Sequence, residues 1–551
     1  MMLKKYIVGS WLLILLFGFN ACESFLEEDN YSSITAESYI TEDTADDLIV
    51  NIYTGLRGAY KVYDVNFYGT DIFTTKGAFY DTNALNEYFN ITSSSGGSCW
   101  SGNYTIVSYA NTAINRYENQ IAWSEGNLTK KAYGIAQAKA LRALAYYNMV
   151  QQYGGVVLEL EETSSIRSDY ARSTEEETFA QIIKDLEDAI PDLLVSPDFG
   201  RISKRAAQHL LADVYVSRGY KSFGSSSDFT TAAALAESAI NGYDIRTQTF
   251  GEVFDFDNQE NDEVLFSVQY GDGGDYVDRN NNKHAIFLSS LIDYVGIART
   301  NPYGRTDFGA MPTSFFYGLF AENDSREEAT IHRVLYANEN NTYVSTVGQD
   351  VIVPGDTVIY FPKTAITGDE LTEALNRYWV YNPDQYYYGK PDNVAGAIYQ
   401  YSSNVVTTNF PIFKKFGDEG FDETEGGYRD TYVFRVAETH LIAAEAYLKA
   451  GNQEKALVNI NRVRERATGE TNYYTAVTID DILNERAMEL AGEESRWAIL
   501  KRTGKLEERI NLYNPHVIDH GKFDASIHLL RPIPASEMEL TDGSLEQNFG
   551  Y

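Results

Sequence analysis

Amphipathic helices grouped at the two ends of the chain constrain this fold more than any other feature of the sequence. The clearest spans 129–153, where alanines recur on one face and Gly154 and Gly155 end the pattern. Similar periodicity predicts helices at 41–62, 104–117, 174–194, 203–218, 229–241, 431–450, 452–467 and 478–503. An apparent capping box of Thr41 with Thr44 marks the start of the first of these. The helical content predicts a mainly α fold.

Several of these helices pair in the manner of tetratricopeptide repeats. Residues at the offsets of the later half of such a repeat surround a turn at Gly451: Tyr447, Ala456, Ile460 and Val463. Two looser pairs join 141–147 with 179–189 and 203–215 with 232–240. Small residues at these offsets let neighbouring helices approach closely, so we predict a scaffold of stacked helical pairs.

The chain between the two helical groups, over 242–428, has a different character. Short β-like runs at 264–270 and 356–363 lie among loops rich in Gly, Asn, Asp and Tyr, and a second irregular stretch spans 62–104. Long loops in a compact protein are usually functional or disordered, and the aromatic content argues against disorder. We therefore expect this loop-rich region with short strands to be functional rather than disordered.

The N-terminus has the features of an exported lipoprotein. Lys4 and Lys5 precede an uncharged apolar stretch at 7–19, which is too short to cross a bilayer comfortably. Ala21 then precedes Cys22, as in bacterial lipoproteins, whose cysteine sulfur carries a diacylglycerol. We predict a signal peptide at 1–21 and lipid attachment at Cys22, with a single membrane-spanning anchor as the alternative.

The amino-acid composition limits the classes of partner that this protein can bind. The net charge of −34, without a basic run, repels phosphate backbones, so no nucleic acid is expected as a partner. With Cys22 assigned to lipid, Cys99 is the one remaining cysteine, which excludes an intramolecular disulfide and a thiolate zinc site. The 42 tyrosines and 28 phenylalanines, against five tryptophans, suit surfaces that bind polar, partly flat ligands such as sugars.

Segments spread from end to end resemble the SusD/RagB family of surface nutrient-binding lipoproteins. They are CESFLEEDNYSSIT after the lipid site, WSGNYTIVSYANTAI, AKALRALAYYNMVQQYGGVVL, YVFRVAETHLIAAEAYLKAG, ILNERAMELAGEESRWAILKRTGKL and the closing LLRPIPASEMEL and QNFGY. The lipid site departs from the usual pattern at Phe19 and Asn20.

The resemblance implies a single SusD-like domain over 22–551. Its tetratricopeptide-like scaffold would occupy about 41–241 and 429–506 and would carry the variable region 242–428. It also implies an outer-membrane lipoprotein that faces the cell exterior, captures oligosaccharide and delivers it to a SusC-like TonB-dependent transporter.

Candidate ligand residues combine an aromatic ring with polar neighbours in an irregular segment. Such a ring stacks on the C–H face of a sugar, while carboxylates or amides bind the hydroxyls. Trp379 with Tyr381 is the first candidate, because we expect it in a loop outside the shared scaffold segments. The other candidates are Tyr68, Asp71, Tyr80, Asp81, Trp100, Tyr303 and Arg305.

Other conspicuous residues have structural explanations. Trp497 and His440 lie at helical spacing with apolar residues, so we expect both in the core. Glu485, Arg486 and Arg496 fit a network of charges on a helix face.

Neither catalysis nor a cofactor is predicted. The histidines show no metal-pair spacing, and there is no G-x-S-x-G elbow or phosphate loop. Asp278, Asn280 and Asn282 have the spacing that starts a calcium loop, but Lys283 and Ser289 stand where that loop needs glycine and glutamate. Structural calcium is therefore only an alternative to a turn-forming loop.

The sequence thus predicts a non-enzymatic glycan-binding protein. Three alternatives stay open: a peptide-binding member of the same fold, a surface glycosidase and a pure protein-interaction scaffold. The acidic total favours neutral over strongly anionic glycans, unless a local basic patch offsets it.

Overall fold

The chain folds into packed helices with a smaller part made of short strands and loops. The computed structural model describes residues 39–61, 64–75, 84–273, 276–279, 281, 283–288, 296–298, 300, 302–303, 309–345, 347–383, 410–421, 426–541 and 543–551. No helix within these ranges is both long enough and apolar enough to span a bilayer.

The helices of the described residues are numbered in chain order. They are α1 Asp46–Ala59, α2 Asp64–Phe67, α3 Ala84–Glu87, α4 Gly97–Asn119, α5 Leu128–Tyr153, α6 Glu175–Ala189, α7 Lys204–Gly219, α8 Ser226–Ile240, α9 Phe250–Val253, α10 Lys283–Ile286, α11 Ser314–Gly318, α12 Ser325–Thr330, α13 Gly368–Leu375, α14 Val436–Lys449, α15 Gln453–Thr468, α16 Ile479–Leu490, α17 Arg496–Arg502, α18 Leu506–Tyr513, α19 Pro515–His520, α20 Ala525–His528 and α21 Ala535–Leu540. Single turns of 3₁₀ helix lie at Glu125–Asn127, Ile245–Thr247 and Phe256–Asn258.

The strands are two to five residues long. They are β1 Phe73–Thr75, β2 Val264–Val268, β3 Gly271–Gly273, β4 Tyr276–Asp278, β5 Ala310–Pro312, β6 Ile331–His332, β7 Val334–Tyr336, β8 Asn341–Ser345, β9 Gly348–Ile352, β10 Thr357–Tyr360, β11 Trp379–Val380, β12 Ile412–Phe413 and β13 Thr431–Arg435. The predicted β-like runs at 264–270 and 356–363 are confirmed as β2 and β10.

The predicted helical pairs are confirmed by packing. Helix α5 packs on α6, α7 on α8, and α14 on α15, while α4 lies against both α1 and α5. Helix α8 also packs on α14, so the scaffold continues directly between helices that lie far apart in sequence. Buried alanines allow this close approach, among them Ala143, Ala212 and Ala444. We call the apolar interior of these helices the first core.

A second core lies outside the helical scaffold and is rich in phenylalanine. Phe73, Phe287, Phe316 and Phe413 are buried together, and the rings of Phe287 and Phe413 stack at 5.0 Å between centroids. The strands around it form small ladders: β5 pairs with β1, β6 with β12, and β10 with both β7 and β11. The mainly α fold class is thus confirmed, with the strands confined to this smaller part and to the pair β2–β13.

Two boundaries differ from the sequence prediction. The segment predicted as one helix at 431–450 begins as strand β13, which pairs antiparallel with β2 before α14 starts. The helix predicted at 478–503 is split, because α16 ends at Leu490 and Gly492 has φ of +77°. A Cβ on Gly492 would lie 2.5 Å from the ring of Phe416, so this turn requires glycine.

The capping box predicted at Thr41 is wrong. Helix α1 begins at Asp46, and its N-cap residue Ala45 accepts no hydrogen bond through its side chain. The hydroxyl of Thr44 instead accepts a hydrogen bond from the backbone N–H of Thr41 at 3.0 Å, in the turn before the helix. Full capping boxes begin α6 at Thr174 and α16 at Thr478.

A buried ion-pair network joins the scaffold to the second core. Arg326 of α12 is fully buried and pairs with Glu485 and Glu489 of α16 at 2.8 and 3.3 Å. Arg435 of β13 pairs with Glu489 and Glu493 at 3.0 and 2.6 Å. Neighbouring arginines surround Glu489; although burial opposes its ionisation, these cations hold its pKa far below the usual range. Because buried charges need fixed partners, this network fixes how the two parts meet.

Candidate functional site

The structure places the first predicted ligand residues inside the protein. Trp379 forms strand β11 rather than a loop and is 6% exposed, with its ring edge-on to Tyr343 at 6.0 Å between centroids. Tyr381 is buried and stacks on Phe361. The loop placement predicted for this pair is therefore wrong, because pairing of β11 with β10 carries both rings into the second core.

Asp71 is a buried ion-pair partner rather than an open carboxylate. Its side chain is inaccessible and accepts hydrogen bonds from Arg496 at 2.9 and 2.7 Å and from Arg509 at 2.7 Å. Burial opposes its ionisation, but the two guanidinium groups hold its pKa below the usual range. Both carboxylate oxygens of Asp71 accept hydrogen bonds from arginines inside the protein. The exposed position expected for a ligand-binding carboxylate is therefore wrong.

The remaining predicted aromatic residues also belong to the interior. Trp100 is 3% exposed and contacts the rings of Tyr104 and Tyr153 within the first core. Tyr303 is buried, and its hydroxyl donates to the backbone oxygen of Tyr336 at 2.9 Å. Both were candidates for ligand contact, with packing as the alternative for Trp100, and the structure shows both packed in the interior.

Tyr68 is half-buried where the two cores meet. Cys22, Tyr80, Asp81 and Arg305 lie outside the described residues, as do Asn280 and Asn282 of the calcium alternative. Within the described ranges, no cluster of three or more His, Cys, Asp or Glu side chains is arranged to hold a metal ion.

The structure tests the residues to which the sequence assigned a structural role. Trp497 is fully buried and His440 is 7% exposed, which confirms both as core residues. Glu485, Arg486 and Arg496 form ion pairs, which confirms the charge network predicted for them, and all three are almost completely buried. Their ion pairs are interior.

An open cleft of about 530 Å³ lies beside the second core. Its walls come from Pro302 and from three longer parts of the chain: the segment 249–256 around α9, helix α12 with strand β6, and the segment 414–419 with Arg429. Its volume is in the range of small-ligand sites, and its lining combines apolar rings with polar side chains, as such sites do. This cleft is our candidate functional site.

One predicted motif reaches the cleft. Pro302 of the sequence NPYGR lines it. Tyr303, the next residue, packs its ring against His332, another lining residue, at 5.9 Å between centroids. Burial and the ammonium group of Lys414 lower the pKa of His332 to about 3, so its ring is neutral at neutral pH. Tyr303 therefore supports the wall of the cleft from behind.

The apolar surface of the cleft comes from two phenylalanines. Phe254 is buried at the base, while Phe256 is half-buried and lies edge-on to Tyr428 at 5.4 Å between centroids. Acidic side chains stand at the exposed edge, namely Asp255, Glu328 and Glu419. A partly open ring next to hydrogen-bonding groups is the arrangement that binds a sugar.

Cations line the interior of the cleft. The ammonium of Lys415 lies 2.5 Å from Glu493 and 4.6 Å from the centre of the Phe254 ring. Burial lowers the pKa of Lys415 to about 8, against the opposing charge of Glu493. Arg429 is 5% exposed and donates to the backbone oxygens of Gly417 at 2.8 Å and Phe254 at 2.6 Å.

The sequence interpretation did not single out Phe256, Lys414 or Arg429. The sequence VFDFDN at 253–258 contains a signal for Phe256, because phenylalanines alternate there with carboxylates, as in the aromatic and acidic motifs predicted to bind ligand. The cationic side was not readable, since Lys414 and Arg429 are separated in sequence from these rings and meet them only in the fold.

Stacked helical pairs that carry a smaller strand-containing part define the class: a tetratricopeptide-like scaffold protein with an open cleft. Comparison with known proteins places it within that class. A family model described as "SusD family" matches residues 258–551, and a second, described as "Starch-binding associating with outer membrane", matches residues 24–216. The chain belongs to the SusD family.

Individual relatives are distant. A "SusD-like protein" of Bacteroides ovatus is 26% identical over 412 residues, which cover 72% of this chain and 64% of the relative. The match thus spans less than two thirds of that relative's length. The "Starch-binding protein SusD" of Bacteroides thetaiotaomicron is 24% identical over 433 residues, covering 76% of this chain and 72% of the relative.

Solved structures show the same fold. A "Laminarin binding SusD-like protein" superposes with a TM-score of 0.66 at 23% identity and covers 93% of this chain and all of its own. The "Surface glycan-binding protein A from Bacteroides uniformis" gives 0.65 at 18% identity, covering 92% of this chain and 99% of its own. At these identities the likeness establishes the fold alone.

Proposed function

We propose that this protein is a lipid-anchored, surface-exposed protein of the outer membrane that binds an extracellular oligosaccharide in the cleft. It then delivers the ligand to a SusC-like TonB-dependent transporter and makes or breaks no bond itself. The observation that carries the proposal is the half-buried ring of Phe256 beside carboxylates and cations in an open cleft. The names of the relatives, which include starch-binding, laminarin-binding and glycan-binding proteins, support a carbohydrate ligand.

Binding would combine stacking with hydrogen bonds. The apolar face of one sugar ring lies on Phe256, and its hydroxyls meet the carboxylates at the edge. The helical scaffold holds the cleft open because its walls are fixed by the ion-pair network behind Lys415. Such a preformed site costs little ordering on binding.

The test is calorimetric titration of the chain without residues 1–22 against a panel of polysaccharides, with a peptide library as the second arm. Phe256→Ala should weaken the best glycan about fivefold, since one stacked ring contributes about 1 kcal/mol. Phe549→Ala, which removes a phenylalanine that is 77% exposed elsewhere, is the matched control. Binding of peptides alone, or release of products from a polysaccharide, would overturn the proposal.

Anchoring and delivery are tested separately. Cys22→Ser should abolish incorporation of labelled palmitate and release the protein from the membrane fraction. Co-purification with a transporter from solubilised membranes of the native cells would support delivery. Tyr80, Asp81 and Arg305 stay predicted ligand residues, and alanine variants of each belong in the same titration.

A further inference from the structure

The cleft contains a buried cation, Arg429, that forms no direct ion pair within the described residues, although Asp418, Asp430 and Asp255 lie close enough to act on its charge. No carboxylate in the described part of the chain forms an ion pair with Arg429, although its side chain is almost fully enclosed. Its neighbour Asp418 accepts the backbone N–H of Arg429 at 2.8 Å and not its guanidinium. Burial raises the pKa of Asp418, which weakens its role as a counter-ion further.

The guanidinium is only partly satisfied by the protein. It carries five N–H donors, of which two meet the backbone oxygens of Gly417 and Phe254. The ring of Phe256 lies 5.9 Å from its central carbon. A guanidinium held in this way keeps donors available on the side that faces the cleft, in the fork geometry that suits carboxylate and sulfate oxygens.

A second cation lines the same cleft. Lys414 is exposed, lines the cleft, and forms no ion pair with any carboxylate that the structure describes. The third, Lys415, already has Glu493 as its partner. The acids of the cleft differ in position: Asp255, Glu328 and Glu419 are exposed, where water screens them.

We propose that Arg429 and Lys414, which both line the cleft, bind an anionic group of the ligand, a carboxylate or sulfate ester on a sugar. The inference rests on the proposed carbohydrate function and adds the class of sugar. It runs against the preference for neutral glycans drawn from net charge, because the local charges in the cleft, not the total, act on the bound group. A buried cation without a direct ion pair is costly, and an anion that reaches it removes that cost.

The experiment is a glycan array on which each acidic polysaccharide is printed beside its carboxyl-reduced or desulfated form. The acidic form of the best ligand should bind at least tenfold more tightly than its neutral partner, and this ratio should fall as salt increases. Lys414→Gln and Arg429→Gln should each reduce binding of the acidic form by a larger factor than binding of the neutral form. Lys61→Gln, which removes an exposed lysine that does not line the cleft, is the control and should change neither.

Each outcome decides the matter. A carboxylate or a sulfate preference that both variants reduce supports the inference and identifies the anion. A best ligand that is neutral, or an acidic ligand indifferent to both variants, overturns the inference but leaves the carbohydrate function standing. Absence of binding to every saccharide overturns the proposed function itself. If Arg429→Gln does not fold, as melting would show, Lys414→Gln decides alone, because Lys414 is at the surface.

Discussion

Replacing Asp71 with asparagine separates the structural from the ligand-binding interpretation of this residue. The change keeps the size of the side chain and removes the charge shared by Arg496 and Arg509. Arg509 would retain Asp480 at 2.8 Å, whereas Arg496 would keep the backbone oxygen of Leu483 and a distant carboxylate at 3.9 Å. The variant therefore leaves one buried guanidinium nearly without a counter-ion.

The expected loss is large. Removing one partner of a buried ion pair costs about 3–5 kcal/mol, because the remaining charge stays desolvated. In urea, with a slope of about 3 kcal/mol per molar or more for a chain of this size, the unfolding midpoint should fall by about 1 M. The affinity of the folded variant for its glycan should equal that of the wild type.

Asp480→Asn is the matched control. It removes a carboxylate that also contacts Arg509, but its side chain is 42% exposed, so the loss should stay below about 1 kcal/mol. Fluorescence-detected urea unfolding of the three proteins gives the comparison, and titration with glycan gives the affinity. A midpoint for Asp71→Asn that matches the wild type, together with weaker binding, would refute the structural role and restore the ligand-binding one.

Three further changes test the interior. Trp379→Ala should destabilise the fold by about 3–5 kcal/mol in urea, as for other large buried rings, without a selective loss of glycan affinity; selective loss with unchanged stability would contradict its burial. Burial raises the pKa of Asp430 to about 7, so the native state keeps a proton that the unfolded chain releases near pH 4, and stability falls as pH rises between these values. Asp430→Asn should therefore gain more than about 1 kcal/mol over the wild type between pH 4 and pH 8, and parallel pH profiles would show that the carboxyl titrates normally. Gly492→Ala should lower the melting temperature more than Gly504→Ala, since both have positive φ but only the first would place a Cβ against Phe416; equal losses would mean that backbone strain alone acts.

The helical scaffold was accessible from the sequence because its period is local. The helices predicted at 129–153 and 203–218 agree with α5 and α7 to within a residue at each end. The sequence predicts helix at 431–435 because no turn residue separates these residues from α14. Their strand conformation comes from pairing with β2, which is distant in sequence. Periodicity carries no information about such a partner.

The site was less accessible, because burial in the second core depends on tertiary contacts. Trp379 is followed by Asn382, Pro383 and further turn-forming residues, which is typical of a loop, yet pairing with β10 buries it. The cleft in turn is assembled from segments more than a hundred residues apart, such as Phe256 and Arg429. The sequence correctly indicated that the site combines aromatic rings with polar groups. It did not indicate which of these rings remain accessible to a ligand.

Because β2 pairs with β13, the chain leaves the helical scaffold after β2 and returns to it beside the same point at β13. More than 160 residues lie between these two strands. Val264 pairs with Arg435, and the N–H of Val436 donates to the oxygen of Glu263 at 3.0 Å, so both ends of the intervening chain meet at adjacent backbones. Helices α8 and α14, on either side of this junction, already pack on each other. A segment with such ends can be exchanged between relatives by cutting at two adjacent positions, provided that the incoming segment keeps an arginine that pairs, as Arg326 does, with Glu485 and Glu489 of the host. Because Phe254 and Phe256 precede β2, such an exchange would replace only the part of the cleft that comes from later residues and would leave both rings in the host.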